Sequence, residues 1–101
     1  MTEKSEEAVS QEARSGMQLL ITEIAKALVD EPDAVDVQTF VQEGTEVLRL
    51  RVAAGDIGKV IGKQGRTARS LRTILSAASM KYGQRFALDI VEAEAEDSAG
   101  A

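Results

Sequence analysis

The sequence predicts a two-layer α+β domain in the order α-β-β-α-loop-α-β, with a three-stranded sheet covered on one face by helices. Three observations carry that prediction: a segment with apolar residues at helical spacing, three short segments that alternate with period two, and a glycine-bracketed basic tetrapeptide between two further helical segments. From Met17 the residues Met17, Leu20, Ile21, Ile24, Leu28 and Val29 share one helical face, and Asp30-Glu31-Pro32 closes the pattern. Residues 35–42 then switch to a period of two, with Val35, Val37, Thr39 and Val41 on one side and Phe40 out of phase. Glu43-Gly44-Thr45 is too short a link for anything but an antiparallel hairpin with the next strand, in which Leu48, Leu50 and Val52 alternate with Val47, Arg49 and Arg51. Asp56 fits as the N-cap of a short helix over 57–61, and Gly62–Gly65 interrupts it. A longer helix follows from Arg66 to about Tyr82, with Ala68, Leu71, Ile74, Leu75 and Ala78 on one side and Arg66, Arg69 and Arg72 on the other. Gly83 suits the helix C-terminus, and Phe86, Leu88 and Ile90 mark a third strand.

The chain of 101 residues has room for one domain, which the pattern places at 17–91. Residues 1–16 and 92–101 are polar, acidic and poor in large apolar side chains, so both are expected to be flexible tails. The whole chain carries a net charge of −5, yet residues 17–91 hold ten basic against nine acidic residues. Its low isoelectric point therefore says little against an anionic partner, because the field that matters acts within a Debye length of roughly 8–10 Å. The absence of cysteine excludes disulfides and thiolate metal sites, and the absence of histidine removes imidazole catalysis and His-ligated metals. No stretch approaches the apolar length of a membrane span, and the N-terminal residues lack an apolar signal core. A soluble cytoplasmic protein is expected, with no enzymatic activity, no cofactor and no metal.

Between Asp56 and Asp89 the charge separates sharply. Lys59, Lys63, Arg66, Arg69, Arg72, Lys81 and Arg85 occupy that interval without a single acid. Within it, Gly62 and Gly65 let the main chain approach a ligand with no Cβ in the way. The amides that open the following helix then face an anion. Such a corner suits a phosphate backbone. A nucleotide-hydrolysing reading fails: Gly58-Lys59-Val60-Ile61-Gly62-Lys63 has three residues between its glycines instead of four, and Gln64 where a Walker loop has Ser or Thr.

With its isoleucine-glycine-x-x-glycine run Ile61-Gly62-Lys63-Gln64-Gly65 between two helices, the chain resembles the KH domain, in the bacterial type II element order. More narrowly, residues 17–92 resemble the small single-KH proteins of the KhpA family. AKALVD (25–30), GKVIGKQGRTAR (58–69) and LRTILSAA (71–78) carry the likeness. The resemblance implies an RNA-binding protein, a chaperone-like or post-transcriptional regulator. It also implies a role in cell-shape and cell-wall control, and a homodimer or a hetero-complex with a KhpB/Jag-type KH protein.

In the family's mode the loop clamps the backbone of single-stranded RNA while bases lie along an apolar groove beside it. Carried onto this sequence, Lys59, Gly62, Lys63, Gln64, Gly65, Arg66 and Arg69 form the RNA contact, the amides of Lys63 to Thr67 face the phosphates, and Ile57, Val60 and Ile61 wall the groove. With Phe40, Tyr82 and Phe86 the only aromatic residues, stacking cannot dominate and phosphate contacts should. Four or five such contacts correspond to a log–log salt slope of roughly −3 on a single strand.

Bland readings stand beside these. A glycine-punctuated turn joins many helical hairpins; Lys59, Arg69 and Arg72 also fit a solvated helix face; Arg49 and Arg51 fit exposed strand charges that discourage edge pairing. The acidic tails read as solvating segments, with competition for the basic face as the other role their charge allows. The rival function is a protein–protein module that dimerises through the same loop surface. Association is a common source of stability for a domain of this size.

Overall fold

A computed structural model describes residues 2–93, with side chains from Gln11 onward. The elements are α1 (Thr2–Leu28), a 3-10 turn (Pro32–Ala34), β1 (Asp36–Gln42), β2 (Thr45–Val52), a second 3-10 turn (Ala54–Asp56), α2 (Ile57–Ile61), the loop turn (Lys63–Gly65), α3 (Arg66–Tyr82) and β3 (Phe86–Glu92). The sheet order is β1-β2-β3, antiparallel between β1 and β2 and parallel between β2 and β3. A parallel pair needs a long crossover, and α2, the loop and α3 supply it. The hairpin link is two residues, Glu43 and Gly44, both at positive φ, which matches the twist of the strands it joins. This is the α+β architecture that the alternation of periods predicts.

One core lies between the sheet and the three helices. Met17, Ile21 and Ala25 of α1 meet Val37 of β1, Leu48, Leu50 and Val52 of β2, Val60 of α2, Leu71 and Leu75 of α3, and Leu88 of β3. The Gln18 side-chain amide adds a tie by donating to the Val37 carbonyl at 2.7 Å.

The helix boundary corrects the sequence reading. α1 starts ahead of Met17: it is continuous from Thr2, Ala13 is fully buried, and the Arg14 guanidinium binds the Glu46 carboxylate of β2 at 2.7 Å. Ala13 is one i,i+4 step ahead of Met17, Ile21 and Ala25, so it prolongs the core stripe. An alanine contributes too little hydrophobicity to reveal this in a scan for large apolar residues. At the other end Glu92 closes β3, and from residue 94 the expected C-terminal tail lies outside the described residues.

The helix-free face of the sheet accounts for Phe40 and the strand arginines. Phe40 pairs with Val47, which pairs with Ala87, giving an apolar strip across that face. Arg49 lies over the Phe40 ring at 4.8 Å from its centroid and binds Asp89 at 2.9 Å. Arg51 lies 3.7 Å from Asp36. Because β2 is the central strand, these arginines do not guard an edge; Arg49 covers the strip over Phe40, and Val47 is buried without a helix above it.

Two stability outcomes follow. Leu75→Ala, at a fully buried position, should lower the unfolding free energy by about 2–5 kcal/mol in a urea titration. A chain beginning at Met17 should be about 1–2 kcal/mol less stable than one beginning at Gln11, through loss of the Ala13 contact and the Arg14–Glu46 pair. Equal urea midpoints for those two chains would return residues 11–16 to the status of a tail.

Candidate nucleic-acid interface

Five residues cannot hold a helix in water by their own hydrogen bonds. The position of α2 must therefore come from its surroundings, and three contacts supply it. At its start the Asp56 side chain, only 3 % exposed, accepts hydrogen bonds from the amides of Asp30 at 3.1 Å and Glu31 at 3.0 Å. In its middle Val60 is fully buried in the core. At its end Gly62 has φ 79 and ψ 168, a region essentially reserved for glycine. A Cβ there would lie 2.8 Å from the Thr67 amide nitrogen and closer still to the Thr67 side chain. The loop turns back so tightly on α3 that only hydrogen fits between them.

Asp56 thus serves a different end from the one its sequence position implies. No cap bond joins its side chain to α2; it reaches instead to the corner after α1, where two amides would otherwise lack partners. Desolvation by burial pushes its carboxyl upward, but the amides of Asp30 and Glu31, with Lys59 beside them, outweigh burial and hold the pKa below its ordinary value.

Lys59 is drawn into the same cluster. Its ammonium lies 3.2 Å from Asp30 and 3.5 Å from Asp56. The hydrogen bond and charge of Asp30, joined by those of Asp56, raise its pKa. Its charge is compensated by two carboxylates, so among the expected phosphate contacts Lys59 is the one whose field is already cancelled.

Lys63, Gln64, Arg66 and Arg69 all stand exposed around the corner. None of the three cations forms an ion pair among the described residues. Gln64 (φ 56, ψ 24) and Gly65 (φ 74, ψ 16) are successive left-handed residues that swing the chain into α3. No side chain caps α3, whose N-terminal dipole therefore opens beside the cations. The set of amides facing outward is smaller than the sequence reading had it. The Gly65 amide donates to Gly62 O at 3.0 Å and the Arg66 amide to Lys63 O, so both are satisfied within the loop. Arg72, the outermost of the α3 arginines, donates to the Leu88 carbonyl at 3.3 Å and braces α3 against β3.

The groove set needs one correction. Val60 belongs to the core with no exposed surface and cannot wall an open groove, because the short helix is held down through that side chain. Ile57 is partly buried against the core, and Ile61 is partly exposed beside the loop. None of the aromatic rings is aligned with the corner: Phe40 is on the helix-free face, and Tyr82 and Phe86 pack against the core at the end of α3 and the start of β3. Sequence reasoning missed Thr67 as the surface that excludes a side chain at 62, and the Asp56 tie across 25 and 26 positions. The first has a local signal in the five-residue spacing from Gly62; the second has none.

A three-stranded mixed sheet backed by three helices, with a Gly-x-x-Gly corner between the second and third, defines a KH domain of the type II order. More narrowly, the chain belongs to the KhpA/KhpB KH-domain family, whose model matches residues 18–90. It is similar to the RNA-binding protein KhpA of Treponema pallidum, 55 % identical over 73 residues that cover 72 % of this chain and 91 % of the relative. The KhpA proteins of Aquifex aeolicus (49 % identical, 77 % of this chain and 99 % of the relative) and Clostridium acetobutylicum (47 %, 74 % and 100 %) are similar over the same region.

The geometry separates the two loop glycines. Gly65→Ala meets no atom within 4 Å and bears only the backbone cost of a left-handed residue, about 1–2 kcal/mol, whereas Gly62→Ala must also displace Thr67 and should lower the urea midpoint further. Equal losses would contradict the close approach. For Asp56, a pKa held below the ordinary carboxylate value means that its contribution is complete above that ordinary value and lost as the pH falls through the folded one. Asp56→Asn should be less stable than the parent at neutral pH, with the gap narrowing on acidification as the Asp56 carboxylate is protonated, followed by circular dichroism.

Proposed function

We propose that this protein binds single-stranded RNA through its backbone at the Gly62–Gly65 corner and acts as a post-transcriptional regulator or RNA chaperone in the cytoplasm. The observation that supports this most is the trio Lys63, Arg66 and Arg69, exposed and uncompensated at an uncapped helix start, in a chain whose relatives are named RNA-binding proteins. Gly62 and Gly65 admit the phosphate chain, Gln64 offers its amide to sugar or phosphate, and Ile57 and Ile61 give the bases a modest apolar edge. With no aromatic platform at the corner, base identity has little to act on. Binding is then sequence-tolerant and driven by counterion release. The reading is of a binding site and includes no catalysis.

Because Lys59 is held by Asp30 and Asp56, three cations remain and the log–log salt slope should be roughly −2, shallower than four or five contacts would give. Introducing a negative charge at a position that already tolerates a left-handed backbone is the clean disruption. Gln64→Asp should abolish retention of a labelled oligouridylate while leaving the melting curve unchanged, because aspartate accepts that conformation. Retained binding in this variant would sink the reading. Gly62→Asp is unsuitable as a probe, since any side chain there collides with Thr67.

An assembly reading stands alongside on a separate observation. On α3, Ile74 and Met80 are large apolar side chains exposed to solvent, Met80 at 84 %. Residues of this kind would serve a homodimer or a hetero-complex with a KhpB/Jag-type partner, with the cell-shape and cell-wall role that the family resemblance implies. Both lie beyond Arg72 along α3, away from the loop. Ile74→Glu should therefore leave RNA binding intact and convert any dimer seen by light scattering to monomer.

A further inference from the structure

We propose that the acidic segment after β3, carrying Glu94, Glu96 and Asp97, docks on the corner formed by Lys63, Arg66 and Arg69 and competes there with the polynucleotide. The inference rests on the reading of that corner as the RNA site and concerns its regulation. Two acidic stretches flank the domain, and composition alone treats them alike. The fold does not.

In the parallel β2–β3 pair Phe86 is registered with Glu46 and Glu92 with Val52. The chain therefore leaves β3 beside the residue from which it turns into α2, and α2 itself touches β3. The loop lies one short helix away, about 7–8 Å at 1.5 Å per residue. The N-terminal stretch leads elsewhere: Arg14 binds Glu46, at the opposite end of the same strand. Only the C-terminal acids begin on the side of the cationic corner.

Reach and charge agree with that placement. Residues 93–97 span at most about 17 Å when extended and residues 93–101 about 30 Å, comparable to the 31 Å intermediate extent of the domain. The segment 92–101 holds four acids and no base. The cations it would meet, Lys63, Arg66 and Arg69, have no ion pair among the described residues; Lys59 has Asp30 and Asp56, and Arg72 has the Leu88 carbonyl. A tethered polyanion acts at an effective concentration in the millimolar range, and a few exposed ion pairs at such a concentration suffice to compete with a weakly held single strand at low ionic strength.

The test uses the full chain with Glu94→Gln, Glu96→Gln and Asp97→Asn combined, against a control with Glu3→Gln, Glu6→Gln and Glu7→Gln. Binding of a labelled oligouridylate is titrated across potassium chloride concentrations, and the amide chemical shifts of residues 63–69 are recorded without RNA. The C-terminal variant should bind about three- to tenfold more tightly than the parent at roughly 50 mM salt and converge with it by about 0.5 M. Its RNA-free shifts at 63–69 should move, and the control should change neither. Equal affinity of parent and C-terminal variant at every salt concentration, or an equal gain from the N-terminal control, overturns the docking. If no protein binds RNA, moving shifts still uphold the docking and remove the RNA reading, while unmoved shifts overturn the docking.

Discussion

The buried carboxylate of Asp56 is the contact on which the placement of the corner depends. α2 is a single turn and a half between a 3-10 turn and a loop, so its own hydrogen bonds cannot orient it. Asp56 ties its start to the corner after α1, Val60 presses its middle into the core, and the Gly62–Thr67 approach closes its end. Each contact acts on a different part of the helix, and together they leave it one orientation. The loop then projects its cations from a rigid base, which is what a backbone-binding corner needs if it is not to lose ordering entropy on binding.

The same fold sorts a run of like charges into different uses. Between Asp56 and Arg72 the sequence carries five cations and no intervening acid, which reads as one continuous basic face. In three dimensions Asp30, from the corner after α1, joins Asp56 at the start of α2 in neutralising Lys59, while β3 engages Arg72. What survives is a narrower patch of Lys63, Arg66 and Arg69, centred on the tip of the loop. Charge counted along the chain overstates charge available at the surface whenever the partners come from distant segments. That is why fewer uncompensated cations surround the loop than the sequence suggests.

Legibility followed the range of each interaction. Strong local periodicity exposed the three strands, α3 and the half of α1 that carries Met17 and Ile21, and glycine spacing exposed the loop; all of these are signals written within a few residues. The first half of α1 stayed hidden because its inward residue is Ala13, too small to register as core. The parallel arrangement of β3 was invisible for another reason: a hairpin dictates antiparallel pairing of its own strands but says nothing of where a third strand lands. Asp56 was misread as a helix cap because the local pattern fitted one, while its actual partners lie 25 and 26 positions upstream. Val60 was placed in the groove for want of any way to tell which apolar side of a five-residue helix faces inward.

The direction of β3 carries a consequence for the domain as a whole. An antiparallel third strand would run out beside Glu46, at the end of β2 where Arg14 binds. The observed parallel pairing reverses this and brings Glu92 level with Val52, one turn of chain from α2. Sheet topology thereby fixes where β3 ends relative to the start of α2, with Leu48, Leu50 and Leu88 of the paired strands sharing one core. A substitution that left every charge in place but altered that pairing would change the electrostatics of the loop as surely as removing an arginine, because the field at the corner depends on where the strands end as well as on which side chains the loop carries.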